Sequence, residues 1–244
     1  RAQLTSDGLT TVNRGTPIVQ RGRNYDGRVL EDIIDIAFSD TAGRVMALDV
    51  NGTLVSCSPM FLDCTSQQLL DADVWLNAQA FTLWNDSLYV LDAGTPSGQI
   101  WRYEPTGNLY PDPPTERVRE SFSGGVDLAI DENGSIYILL ADGTVNKYRS
   151  DEREPFEYRG FPVGQGIDSA VAMYLDSRPT SQTLFFVNQN QRTIYETGRT
   201  GGFRNTYRTF TEDNWALIAD VTSTNSTPLL YVVSGNTIFA FSPN

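Results

Sequence analysis

Short apolar runs alternate with breaks rich in Gly, Asn and Asp along the whole chain, and no window sustains an apolar stripe at i, i+3, i+4 and i+7. The apolar runs are strand-length and rich in β-branched and aromatic residues, as in "RVMALDVNGTLVSCS", "SLYVLDAGTPSGQIWRYEP", "SIYILLADGTVNKYR" and "LLYVVSGNTIFAFSP". Each reads as strand, turn, strand. The breaks "DVNGT", "DENGS" and "LADGT" supply residues that tolerate the positive φ of hairpin turns.

The pattern repeats. Val45, Leu88, Ile136, Leu184 and Leu230 hold equivalent places in successive units, at steps of 43, 48, 48 and 46 residues. That is the period of a four-stranded propeller blade. A first strand precedes each ("DIIDIAFS", "AQAFTLW", "VDLAID", "SAVAMYLD", "ALIADV"), and a third strand ends in an aromatic at Tyr103, Tyr148, Tyr195 and Phe241. One such sheet cannot cover both its faces, so neighbouring sheets must do so. The expectation is an all-β propeller of five four-stranded blades over residues 27–244, with six blades the alternative. Residues 1–26 are expected to be a leader that carries a closing strand. The last unit runs out after three strands, and "TPIVQRGRNY" is the strand expected to complete it.

Composition narrows the chemistry. The chain contains no histidine, which removes Ser-His-Asp and Cys-His catalysis and imidazole-ligated zinc sites. A net charge of −12 argues against nucleic acid as a partner. No apolar run is long enough to span a membrane as a helix. The start at Arg1, without a methionine or signal-like segment, is expected of a processed protein or a domain of a longer one. Cys57 and Cys64 flank "SPMFLD", so a hairpin centred between Met60 and Phe61 sets them opposite each other. Opposed residues in an antiparallel pair meet disulfide geometry, and a disulfide favours an extracytoplasmic location; two buried free thiols are the alternative.

The run "LYVLD…GQIWRY", then "VDLAIDENGSIYILLADGTVNKY", then "LYVVSGNTIFAF" resembles the NHL-type and TolB-like propellers of bacteria, especially those appended to Ser/Thr kinase or phosphatase signalling proteins. The resemblance covers about residues 27–244 and rests on structural motifs. It implies a sensor or interaction module, and no catalytic residue of such a family maps onto this chain.

Three groups of residues are candidates for function. Asp35, Ala78, Asp127, Ala170 and Asn214 are aligned at the entry to the first strands, which line the channel of a propeller. The first expectation is that each Asp accepts backbone N–H groups at its loop. The alternatives are that Asp35, Asp127 and Asn214 hold a hard cation such as Ca2+, or that the two acids form an acid/base pair. The second group is aromatic. Trp75, Trp101 and Trp215 are expected in packing between blades, and Trp84, in "LWNDS", either packs there or is exposed to stack on a sugar or a partner. The third is "YEPTGNLYPDPPTERVRE", where Tyr110, Pro111 and Pro113 are read either as a protruding recognition loop or as a plain long connection. Asn51, Asn85, Asn133 and Asn225 each start an Asn-x-Ser/Thr triplet and are read as turn residues. No phosphate loop, CxxC pair or calcium-loop spacing occurs.

The function expected is non-enzymatic: a protein or carbohydrate partner held by rim loops, with no cofactor. A hydrolase or lactonase using channel carboxylates with a divalent cation, and a structural subunit of a surface layer, filament or larger complex, are the alternatives.

Overall fold

The computed structural model describes residues 2–4, 10–12, 19–58, 63–96, 98–120, 122–176, 181–208, 218–223, 230–234 and 237–241. It is an all-β structure of five antiparallel meanders. The first sheet comprises Ile33–Ser39, Arg44–Asp49, Thr53–Cys57 and Cys64–Gln68. Ala78–Trp84, Ser87–Asp92, Gln99–Tyr103 and Thr115–Arg119 form the second, and Gly125–Ile130, Ile136–Leu140, Val145–Arg149 and Glu152–Glu154 the third. The fourth comprises Ala170–Asp176, Thr183–Asn188, Thr193–Gly198 and Phe203–Tyr207.

The fifth sheet joins the two ends of the chain. Ile218–Ser223, Leu230–Ser234 and Thr237–Phe241 are extended by Thr10–Val12 and then Ala2–Leu4. Thr10 lies opposite Ala240 and Thr11 opposite Phe239. An N-terminal strand does complete the last sheet, but it is "TTV", not "TPIVQRGRNY". The end of that expected strand is used elsewhere: Asp26 and Gly27, both at positive φ, turn Asn24–Tyr25 back onto Arg28–Val29 in a two-residue hairpin. Residues 13–18 lie outside the described ones.

By compactness the chain divides into Thr16–Gly134 and a second unit of Arg1–Gly15 with Ser135–Asn244. In the first unit, Ala78–Trp84 lies beside both Ile33–Ser39 and Gly125–Ile130, so first strand neighbours first strand. In the second, Ala170–Asp176 neighbours Ile218–Ser223 in the same way. The first strand carries a bulge at the same place in the first, second, fourth and fifth sheets. The register slips between Ile33 and Asp35, at the Ala78–Ala80 step, between Ala170 and Ala172, and between Ile218 and Asp220.

The core follows from the strand pattern. In the first unit Met46, Leu48, Leu54, Leu69, Phe81, Leu88, Val90 and Tyr103 form one buried cluster between the first two sheets. The second strands are buried on both faces, which is why "VMALD", "LYVLD" and "LFFVN" read as unbroken apolar runs. Burying a leucine of this kind is worth about 1.5–3 kcal/mol. In the second unit the connection after the third sheet lays Phe156, Tyr158 and Phe161 across it. Tyr158 meets Phe186 edge-on at 5.8 Å, and Phe161 meets Phe203 at 4.9 Å.

Register also corrects one alignment. Tyr103, Tyr148 and Phe241 lie opposite Leu88, Ile136 and Leu230, but Tyr195 lies opposite Phe186, two residues inward of that place, which Thr197 holds. In the first sheet the same place belongs to Cys57, opposite Val45. Cys57 forms a disulfide with Cys64, its partner across the third and fourth strands, at a Cα–Cα distance of 4.1 Å. Among the described residues, no helix is long and apolar enough to cross a membrane.

Candidate functional site

Two aspartates that end second strands build the most distinctive surface feature of the Thr16–Gly134 unit. Asp49 is fully buried, and its Oδ1 accepts the N–H groups of Asn51 at 3.0 Å and Thr53 at 2.8 Å. Its Oδ2 accepts Glu31 N–H at 3.2 Å. One carboxylate thus fixes the Val50 turn and the strand entry before Ile33. Asp92 holds the same place in the second sheet and is equally buried. Oδ1 accepts Asn77 N–H at 2.7 Å and Gly94 N–H at 3.1 Å, and Oδ2 accepts Leu76 N–H at 3.0 Å. A buried carboxylate is tolerable when backbone donors saturate it, and these are. Asn188 occupies the corresponding place in the fourth sheet: its Oδ1 accepts Gln191 N–H at 3.2 Å and its amide donates to Asp168 at 2.7 Å.

Between the two tied loops lies an open recess of about 300 Å³, lined by Ile34, Val50 and the run Trp75–Gln79. Val50 and Leu76 are 44% and 60% exposed, and Leu70 and Val74 on the same connection are 45% and 46% exposed. Ile34 is the bulged residue of the first strand, so the bulge aims an apolar side chain at the rim. Gly52, at φ 80°, lets the Val50 turn approach the connection closely: a Cβ there would lie 2.2 Å from the Cβ of Ala72. Gln79 donates to the side-chain carbonyl of Asn77 at 2.8 Å, which sets two amides at the mouth. The sequence marked this region only as turns. A run of exposed Leu and Val in a connection ("LLDADVWLN") was the signal available.

The channel candidates behave as turn and strand ligands. Asp35 Oδ1 accepts Ile36 N–H at 2.6 Å, and Oδ2 accepts Phe81 N–H at 3.1 Å in the next sheet. Asp127 Oδ1 accepts Leu128 N–H at 2.7 Å, the same local bond. Ala78 and Ala170 are buried. Counted from the second strands, the residues equivalent to Asp35 are Ala80, Ala172 and Asp220, not Ala78, Ala170 and Asn214. The first hairpin loops differ in length, and sequence spacing cannot absorb that. Asn214 and Trp215 lie outside the described residues. Among the described residues, no three His, Cys, Asp or Glu side chains converge as a metal site would require.

The aromatic candidates are mostly internal. Trp84 is half-buried and lies over Gly134 of the following hairpin, where an added Cβ would stand 3.0 Å from the ring. It meets Tyr89 edge-on at 6.4 Å. Trp75 stands perpendicular to Tyr103 at 6.2 Å, and Trp101 Nε1 donates to Asp92 at 3.4 Å.

The Pro-rich segment is half loop and half strand, since Thr115–Arg119 is the fourth strand of the second sheet. Tyr110 is 4% exposed, so its side chain lies inside the unit. Its hydroxyl donates to the Asp86 carbonyl at 2.8 Å, and its N–H donates to Gln67 Oε1 at 3.0 Å. Burial pushes the Tyr110 phenol up to about 12, with the charge of Asp86 adding to the effect. Pro111, Pro113 and Leu109 remain at the surface.

No protein-family model and no curated protein matches the chain.

Proposed function

We propose that this chain is a non-enzymatic recognition module that holds a protein partner through its rim loops. In this reading the five meanders are the five blades of a propeller of the NHL-type or TolB-like kind, and the protein works outside the cytoplasm. The observation that carries it is the recess between the Val50 turn and the Trp75–Gln79 run, with Val50 and Leu76 exposed on its lining and Leu70 and Val74 exposed on the connection that leads to it. Exposed aliphatic groups concentrated on one connection mark an interaction surface. A protein suits this surface better than a sugar does. Sugar recognition uses exposed aromatic faces, whereas Trp75 is buried and Trp84 half-covered by Gly134.

Two further observations support the reading. The buried carboxylates Asp49 and Asp92, and the channel candidate Asp35, all accept backbone N–H groups, which is the work of structural acids rather than of proton-transfer groups. The Cys57–Cys64 disulfide is compatible with an oxidising compartment. Leu109, Pro111 and Pro113 form a second exposed stretch that widens the same kind of surface.

The test is partner capture by the immobilised chain from extracytoplasmic fractions, comparing wild type with Val50→Asp/Leu76→Asp and with Pro111→Ser/Pro113→Ser. Capture is expected to be lost in at least one rim variant while the melting temperature moves by no more than about 2 °C, because surface substitutions cost little stability. Capture that survives both rim variants, or that falls only in step with stability, overturns the reading.

A further inference from the structure

Resting on that reading, we infer that the recess binds a peptide segment presenting an aliphatic side chain flanked by basic residues. Three features of the site point to that chemistry.

The lining is mixed: Ile34, Val50 and Leu76 supply its apolar part around a space of about 300 Å³, and Asn77 and Gln79 its polar part. The mouth is amidic. Gln79 donates its N–H to Asn77 Oδ1, which leaves the Asn77 amide N–H and the Gln79 carbonyl as a donor and an acceptor at the rim. That pair matches the C=O and N–H of a peptide bond, and gives a peptide an advantage over a purely apolar ligand such as an acyl chain.

The surroundings are acidic. Glu31 and Asp32 precede the strand that carries Ile34, and Val50 N–H donates to the Asp32 carbonyl at 3.0 Å. Asp71 and Asp73 sit on the connection that carries Val74 and Leu76. All four are exposed, and Arg21 balances one of them through a 2.6 Å ion pair with Asp32. Acidic side chains on the segments that carry Ile34, Val50 and Leu76 favour a cationic partner and speed its encounter. The whole chain, at −12, adds to the same field.

The site is also rigid before binding. Asp92 fixes Leu76 and Asn77, Asp49 fixes the Val50 turn, and Ala93 N–H donates to the Asn77 carbonyl at 2.9 Å. A preformed recess loses little entropy when it is filled.

The experiment is calorimetric and NMR titration of the intact chain with ten-residue synthetic peptides. Their centres are Leu-Leu, Ala-Ala or Phe-Phe, and their flanks are Arg/Lys, Ser or Asp/Glu. The Arg/Lys-flanked Leu peptide is expected to bind best, with shifts at Val50, Leu76 and Asn77. Leu76→Ser should weaken it about tenfold, the loss of one buried leucine contact. Asp71→Asn/Asp73→Asn should weaken it further at low salt than at high salt. The inference is overturned if Ala-centred basic peptides bind equally, since attraction would then be unspecific charge, or if Leu76→Ser changes nothing. It is overturned as well if no peptide binds. When peptides fail but whole-partner capture still depends on the rim, the recognition reading stands and this inference alone falls. When both fail, both fall.

Discussion

Asp35 Oδ2 accepts the backbone N–H of Phe81 at 3.1 Å, a bond that ties the first strand of one sheet to the first strand of the next. The same carboxylate takes the Ile36 N–H at 2.6 Å through Oδ1. A side chain that the sequence offers as a channel ligand is, in the fold, a latch between sheets. Asp35→Asn keeps one acceptor and loses the other, so thermal unfolding should show a loss of about 1–2 kcal/mol. The loss should be the same with Ca2+ and with a chelator. Stabilisation of the wild type by Ca2+ that Asp35→Asn abolishes would instead restore the cation reading of this residue.

Asp92 is asked to do more than Asp35. Its carboxylate holds Leu76, Asn77 and Gly94, and it also receives Trp101 Nε1. Asp92→Ala leaves those donors without their partner in a buried place, and is expected to cost more than about 3 kcal/mol. Hydrogen exchange at Leu76 and Asn77 should accelerate before the sheet strands do. Uniform exchange across the unit would mean that Asp92 does not position the connection.

Alkaline pH should unfold the protein through its phenols. Burial raises the pKa of Tyr89, Tyr103, Tyr110, Tyr158 and Tyr207, and for Tyr207 the hydrogen bond to Glu196 adds to it. A group whose folded pKa lies above its unfolded value stabilises the fold fully below the unfolded pKa, near 10, and that contribution is lost as pH rises through the folded pKa. Tyr110, at about 12, marks one point in that window. Absorbance at 295 nm should therefore show a set of tyrosines that ionise only as circular dichroism reports unfolding. Ionisation of these five tyrosines near pH 10 in the folded state would contradict the burial assigned to them.

The disulfide closes a short loop, with Cys57 and Cys64 seven positions apart. Cross-linking a loop of that size restricts the unfolded chain by about 2–3 kcal/mol. Cys57→Ser/Cys64→Ser, or reduction, should lower the urea midpoint accordingly without abolishing the fold, because Cys57 is seated among Tyr25, Leu30, Ala47 and Val55. Loss of folding on reduction would show that the bond organises the first sheet instead of bracing it.

The sequence by itself determined the four-stranded repeat, the opposition of Cys57 to Cys64, and the absence of imidazole chemistry. Those properties are local or periodic: an apolar run of strand length, a turn that tolerates positive φ, or a count of residue types. What it left open depends on distance in space. The closing strand went to Thr10–Val12 instead of 16–25, because three residues are too short to carry a pattern and "DG" had already claimed Tyr25 for a hairpin. The channel alignment failed because hairpin loops of unequal length shift the count between strands. Tyr110 reads as an exposed aromatic in a Pro-rich loop, yet packing against Gln67 and Asp86, far along the chain, draws it inside. The recess was illegible for the same reason. Ile34, Val50 and Leu76 belong to three separate segments that meet only in the folded unit, where Asp49 ties the Glu31 entry to the Val50 turn and Asp92 ties Leu76 and Asn77 to the end of the next sheet's second strand.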